Sequence, residues 1–258
     1  RGKAYWNGAV LNAETSRWRG RTAILTSPAV HQATHSAGII IPGRAQWILC
    51  KLDNSMQGFL NLYARNSGLE RATFWDTVAQ NLPNADSWVM GGDLNMVEHE
   101  ADRSGNPPKK LPREEQDGWD NLILKLGLED TWESDGYTHH DSLRFSWTNK
   151  QQELSHLMAR LDRFYVGEWG RNRGGKLEIL AGFNTLSDHV PVHLHIRRKS
   201  HRQQDSRSFC FNTSFLENEA LVIKLAAAWS EEPRPIGESE TWALWVVKAQ
   251  LRIKDFCQ

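Results

Sequence analysis

The chain has 258 residues, with 31 Lys+Arg against 31 Asp+Glu and a formal net charge of zero. That length, with 24% charged and 40% hydrophobic residues, fits one large domain, or one domain plus an appendage. It excludes wholesale disorder, a collagen-like repeat and a polycationic coat, though not a local basic groove. No apolar stretch approaches the roughly 20 residues of a membrane span, so no membrane partner is expected. Cys50, Cys210 and Cys257 are widely spaced and odd in number, which implies reduced thiols in an intracellular compartment. The twelve tryptophans imply a large aromatic core.

In chain order, Thr22 to Ser27 reads as a short strand closed by Pro28. Gly38 to Ile41 and Gln46 to Leu52 read as two more strands, parted by Pro42-Gly43, and Phe59 to Ala64 as a fourth. Between Leu69 and Leu82 the period changes. Leu69, Phe74, Trp75, Val78 and Leu82 fall on one helical face, and Pro83 follows. Ser87 to Met90 reads as a short buried strand running into Gly91-Gly92. Glu98 to Pro112, with its charges and Pro107-Pro108, reads as a surface loop. Pro112 opens a helix carrying Trp119, Leu122, Ile123 and Leu126, stopped by Gly127. Leu143 to Asn149, Ala159 to Val166 and Asp188 to Ile196 read as strands. This is an α+β order, strand-rich with interspersed helices. It favours a sandwich of sheets with outer helices over a doubly wound sheet. Beyond Ile196, Arg197 to Arg207 holds five Lys/Arg and one acid and reads as a linker. Helical segments follow around Phe215 to Trp229 and Glu240 to Phe256.

Four clusters could carry chemistry. In Gly91-Gly92-Asp93-Leu94-Asn95 a buried strand delivers Asp93 and Asn95 to its end. Their spacing of two puts both on one face if strand geometry continues. A carboxylate and a carboxamide can polarise water, hold a phosphate oxygen or assist a hard cation. Gly, Asp and Asn are equally the residues of a plain turn. In Ser187-Asp188-His189, an acid and a histidine head a strand as an acid/base and metal pair. They face opposite ways if extended, so a turn or bulge must bring both to one site. His189, His193 and His195 share one strand face; that is a zinc set or, for the last two, a half-exposed face. Asp162, within Arg160-Leu161-Asp162-Arg163, can orient an imidazole or simply pair with an arginine. Tyr63 and Asn61 end a strand on one face, where a phenol can donate to a phosphate or pack in the core.

Taken in order, the strand-ending Tyr63, Gly92-Asp93-Leu94-Asn95, Arg160-Leu161-Asp162-Arg163 and Ser187-Asp188-His189 resemble the endonuclease/exonuclease/phosphatase superfamily. Within it the chain is most similar to the apurinic-type endonuclease domain of LINE (non-LTR) retrotransposons. Asn61-Leu62-Tyr63-Ala64, Phe74-Trp75, Leu126 to Trp132 and Phe145 to Asn149 carry that likeness. The resemblance implies a DNase I-like four-layer α/β/β/α sandwich over residues 1–196. A basic linker at 197–208 and a helical segment at 209–258 would then lead toward a reverse transcriptase region, with Trp229, Trp242 and Lys248 supporting that end. It further implies Mg²⁺ (or Mn²⁺), DNA as partner and a nuclear setting. Asp93 would activate water, with Asn95 holding it. Tyr63 would contact the scissile phosphate and Asp188 would bind the metal. His189 would bond the phosphate, braced by Asp162, with Asn61 and Ser187 as substrate contacts.

Two departures qualify the expected activity. The family begins with a strand ending in an active-site Asn, then a helix, then a strand ending in a metal-binding Glu. Neither motif is found; Asn7 and Glu14 are weak substitutes. With Arg1 in place of Met, this implies that the N-terminal strand–helix–strand is missing and hydrolysis impaired. Arg65 stands where the family usually has Pro. The competing readings are the same fold acting on RNA or other phospho-substrates, and a non-catalytic nucleic-acid-binding or decayed remnant.

Overall fold

The computed structural model describes residues 1–12, 16–105, 110–140, 144–150, 156–180, 187–198 and 223. Glu14, most of the basic linker and the helical segments expected around Phe215 to Trp229 and Glu240 to Phe256 lie outside them. Contacts divide the chain into Arg1–Lys199 and Ser200–Gln258. No helix among the described residues is long and apolar enough to cross a membrane.

The first unit opens with two hairpins. Strands β1 (Lys3–Asn7) and β4 (Thr22–Thr26) pair antiparallel, as do β2 (Val10–Asn12) and β3 (Arg17–Arg19) between them. Pro28, expected to close a turn, instead opens a short helix, α1 (Pro28–Ala33). The Ser27 Oγ accepts from the Val30 amide and caps it. Strands β5 (Thr34–Ile41), β6 (Ala45–Leu52) and β7 (Ser55–Tyr63) form a meander. The β7 strand starts before the expected Phe59. Asp53 and Asn54 both take left-handed backbone angles, the conformation of a tight hairpin, so pairing resumes at Ser55.

Helix α2 (Gly68–Asn81) then crosses to β8 (Ser87–Asp93), which lies parallel to β7. Leu69, expected on the buried face of α2, is 71% exposed; Arg71, Phe74, Trp75 and Val78 supply that face. Helix α3 (Arg113–Leu126) begins after Pro112 and ends at Gly127, whose left-handed backbone closes the last turn. Strand β9 (Glu129–Asp130) and the short β10 (Tyr137–Thr138), β11 (Trp147–Thr148) and β12 (Met158–Ala159) follow. Next come β13 (Asp162–Val166), α4 (Glu168–Arg171), β14 (Gly175–Ile179) and β15 (Val192–Ile196). The three late strands read from the sequence are therefore shorter or split. Ladder pairing breaks where Ser146 Oγ takes the amides of Leu161 and Asp162.

The main sheet has six strands in the order β5-β6-β7-β8-β13-β9, and a second has three, β10-β14-β15. Period-2 alternation decides what each face meets. Leu60, Leu62, Trp88, Met90 and Tyr165 point to α2 and α3, where the Trp75 and Trp119 rings pack with centroids 4.9 Å apart, tilted by 59°. Phe59, Val89, Phe164 and Val166 point the other way, toward Leu177, Ile179 and Leu194 of the second sheet. The sandwich with outer helices is what the order of elements predicts. The alternation read in β15 also holds: His193 and His195 are exposed while Val192, Leu194 and Ile196 turn inward.

Candidate active site

The register of three neighbouring strands builds the site. Tyr63 of β7 pairs with Asp93 of β8, and Asp93 pairs with Asp162 of β13. Paired residues share a face, so these three side chains form one row at the sheet end. It is the face that meets the second sheet, from which the segment before β15 brings His189.

Local features hold the row open. Gly92 has φ +140°, and a Cβ there would sit 1.9 Å from the Leu62 carbonyl oxygen, so only glycine allows β7 and β8 to approach. Strand β8 continues through both glycines, so this is no simple turn. Beyond Asp93, however, strand geometry stops. Asn95 adopts a left-handed backbone, which asparagine tolerates. Its amide donates to Asp93 Oδ1 at 2.9 Å and its Nδ2 donates to Asp93 Oδ2 at 3.1 Å. The pair expected to share a strand face comes together through an Asx turn instead.

The bend required before β15 is present. His189 bridges to Trp147, and the Thr148 amide donates to the Asp188 carbonyl. The Ser187 Oγ accepts from the His189 amide at 3.0 Å. His189 Nδ1 then lies 2.7 Å from Asp162 Oδ2. Asp162 thus turns away from its arginine neighbours: Arg160 and Arg163 bond Asp102, Asp130 and Glu98. His189 sits apart from the exposed His193, whose Nδ1 meets Glu178 at 3.3 Å, so no three-histidine set forms.

A cavity of about 730 Å³ collects Tyr63, Asn66, Asp93, Asn95, Trp147, Leu161, Asp162, Asp188 and His189. Of the residues singled out in the sequence, Asn61 is not among them. Its Nδ2 is tied to the Ala23 carbonyl at 3.0 Å, which makes it a clamp between β7 and β4. Ser187 lines the adjoining cavity on the far side of His189 and caps the bend. Asn7 is buried with both ends of its amide spent on the Gly43 amide and the Ile41 carbonyl. Trp147 and Ser146 were legible only as part of a family likeness. Ser146 fixes the start of β13, and the Trp147 indole donates to Asp188 Oδ2 at 3.0 Å.

The site is short of positive charge. Burial, then the neighbouring Asp162 charge, pushes the Asp93 carboxyl up to about 6. His189 moves up as well, chiefly through its bond to Asp162, against the opposing effect of burial. Asp188 is held down: burial is the largest single influence and works the other way, but the Trp147 indole, a backbone amide, the His189 charge and Ser187 together outweigh it. Oxygens of Asp93 and Asp162 and a nitrogen of His189 all lie within 4.8 Å of one another. Carboxylates that repel one another in a partly buried site suit a hard divalent cation, and Asp188 faces the same space.

Comparison with known proteins bears on the fold. No protein-family profile matches the chain. The AP endonuclease of Leishmania major superposes with TM-score 0.54 at 16% identity, over 76% of this chain and 71% of that one. The 3′ phosphatase NExo from Neisseria, bound to a product DNA hairpin, gives 0.55 at 16% identity, over 76% and 80%. The fold is that of the endonuclease/exonuclease/phosphatase proteins. In sequence, the chain is 26% identical to an uncharacterized 149 kDa protein of transposon TX1 of Xenopus laevis over 258 residues. That match takes in 98% of this chain and 19% of the transposon protein, so the chain spans about a fifth of its relative. On this fold the cavity lies at the end of the main sheet, where Tyr63, Asp93 and Asp162 stand in register.

Proposed function

We propose that the chain is a metal-dependent phosphodiester hydrolase that nicks DNA, derived from a LINE-type retrotransposon. The observation that carries this is the Asp162–His189 pair at 2.7 Å beside the second carboxylate, Asp93, in one open cavity. Asp162 occupies Nδ1 of the imidazole and leaves Nε2 for a ligand. With its pKa raised, His189 is suited to donate to a nonbridging phosphate oxygen as negative charge builds there. Asp93 accepts a proton from water, and Asn95 keeps that carboxylate oriented. The Tyr63 phenol supplies a second donor to the phosphate. Mg²⁺ or Mn²⁺ held by Asp93 with Asp188 or Asp162 would supply charge neutralisation at the phosphate.

We further infer that hydrolysis is slow in the chain as it stands. Among the described residues lining the cavity there is no glutamate to complete the cation's ligands. The segment 1–196 is read as the nuclease domain, 197–208 as a basic linker, and 209–258 as the approach to a reverse transcriptase region of the same polyprotein. A DNA substrate places its work in the nucleus. The test is nicking of supercoiled plasmid by the full chain at high enzyme concentration, with Mg²⁺ or EDTA. Slow, Mg²⁺-dependent nicking is expected, reduced about 10²-fold or more by His189→Ala. Nicking that His189→Ala leaves unchanged sinks the assignment. A rate matching that of a complete AP endonuclease sinks the claim of impairment. Metal-independent DNA binding without any nicking would favour the non-catalytic reading.

A further inference from the structure

Beside the candidate active site lies a second cavity of about 490 Å³, lined by Trp18, Arg19, Arg44, Tyr63, Arg65 and Glu70 among others. The two share Tyr63 and Asn66, so they adjoin at Tyr63. Three arginines face one glutamate there. Arg44 is the best fixed of them. It is 7% exposed, its guanidinium lies 4.3 Å over the Tyr63 ring, and its Nη1 donates to the Ala64 carbonyl at 3.0 Å. Among the described residues it has no ion-pair partner. Burial, then the charge of Arg65, pushes the Arg44 guanidinium down. A buried cation with no direct ion pair, a second cation beside it and only Glu70 nearby to offset three arginines leaves this groove short of an anion, the mirror image of the carboxylate cavity.

Arg65 is placed with care. Its carbonyl, and that of Asn66, accept from Arg71 Nη1 at 3.0 and 2.8 Å, which pins this turn to α2. Across the groove the Trp18 indole is 70% exposed on strand β3. An exposed indole beside unpaired arginines is the pairing that grips a nucleic-acid strand. The cations take the backbone, and the aromatic face takes a base whatever its identity.

We propose that this groove is a second phosphate subsite, holding the DNA backbone phosphate next to the scissile one on the Tyr63 side, with Arg65 and Arg44 as its cations and Trp18 stacking on the adjoining nucleotide. The proposal rests on the reading of the neighbouring cavity as a nuclease site. Arg44 also braces Tyr63, so Arg65 and Trp18 are the positions to change.

The test is fluorescence anisotropy of a short labelled DNA duplex carrying a single-stranded extension, which offers unpaired bases, with the full chain in EDTA over a series of salt concentrations. Arg65→Gln is expected to weaken binding several-fold and to flatten the dependence of log affinity on log salt by about 0.9, one phosphate contact. Arg65→Lys restores the slope. Trp18→Ala weakens binding about fivefold or more at unchanged slope. A slope for Arg65→Gln equal to that of the unaltered chain overturns the subsite, as does the absence of salt-dependent DNA binding by the unaltered chain. The nicking assay keeps the two claims apart. If Arg65→Gln flattens the slope while His189→Ala leaves nicking intact, the groove stands and the active-site assignment falls. If His189→Ala abolishes nicking while Arg65→Gln changes neither slope nor affinity, the groove falls alone.

Discussion

Strand β13 and the turn before it carry charge in two opposite ways. Arg160 and Arg163 turn into a closed ionic cluster. Asp102 accepts from Arg160 at 2.7 and 3.0 Å and from Arg144 at 2.9 Å, and lies 3.2 Å from Arg163. Asp130 and Glu98 complete the cluster. Between the two arginines, Asp162 turns to the open cavity and, among the described residues, ion-pairs with His189 alone. The two aspartates at the hearts of these regions respond oppositely. Burial alone would raise Asp102, yet its arginine partners pull it down to about 2. Asp93, with no arginine bonded to it among the described residues, is driven up to about 6 by burial and then by Asp162 beside it. Equal numbers of each charge in the whole chain conceal this split. A cluster whose charges cancel holds structure together, whereas a cavity whose charges do not cancel is built to receive a charge from outside.

The largest expected effect falls on the closed cluster. Asp102→Ala leaves Arg160 and Arg163 buried without their shared acceptor and should cost about 3–5 kcal/mol in urea unfolding. A loss under 1 kcal/mol would show that the arginines find other partners and that the cluster is not what secures β13. The same pairing sets a pH limit. Because the folded-state pKa of Asp102 lies below its ordinary value, its contribution is present above about pH 4 and drains away as the pH falls toward 2. Chemical denaturation from about pH 6, above that window, down to about pH 2.5, within it, should show stability falling on the acid side, and the fall should shrink in Asp102→Asn.

The open cavity should behave in the contrary sense. Asp93→Asn removes a carboxylate that burial and Asp162 both disfavour, so at neutral pH it should stabilise the fold by on the order of 1 kcal/mol after allowing for solvent in the cavity. Thermal melts would then rise by about 2–4 °C. A clear drop in melting temperature would mean that Asp93 serves packing rather than function.

Much of this was readable from residues alone, and the misses have physical causes. Tyr63, Asp93, Asp162 and His189 were legible because each stands at one end of a short apolar run, Tyr63 and Asp93 at its close and Asp162 and His189 at its start, and strand ends are where a sandwich exposes polar side chains. Asp102 was not. It lies in a stretch of charges, Gly and Pro that reads as solvent-facing loop, and only folding reveals that a turn at Glu100–Asp102 buries it against arginines 58 and 61 residues later in the chain. Asn61 misled for a related reason. Its position beside Tyr63 on the strand says which face it takes, but not that β4 would pass close enough for Ala23 to claim its amide. Leu69 fits the helical period and still faces solvent, because the sheet covers only the stripe from Arg71 to Val78. Arg44 carries no motif and Arg65 showed only as a departure from the family's usual Pro; their groove exists only through the fold.

The contrast between a saturated cluster and an unsaturated cavity is tested most directly by calorimetric titration of the full chain with Mn²⁺ near neutral pH. Binding at one site is predicted, weakened by about tenfold or more in Asp93→Asn and unchanged in Arg144→Gln, which trims the edge of the closed cluster. Equal affinity in the unaltered chain and Asp93→Asn, or no binding at all, would contradict the account.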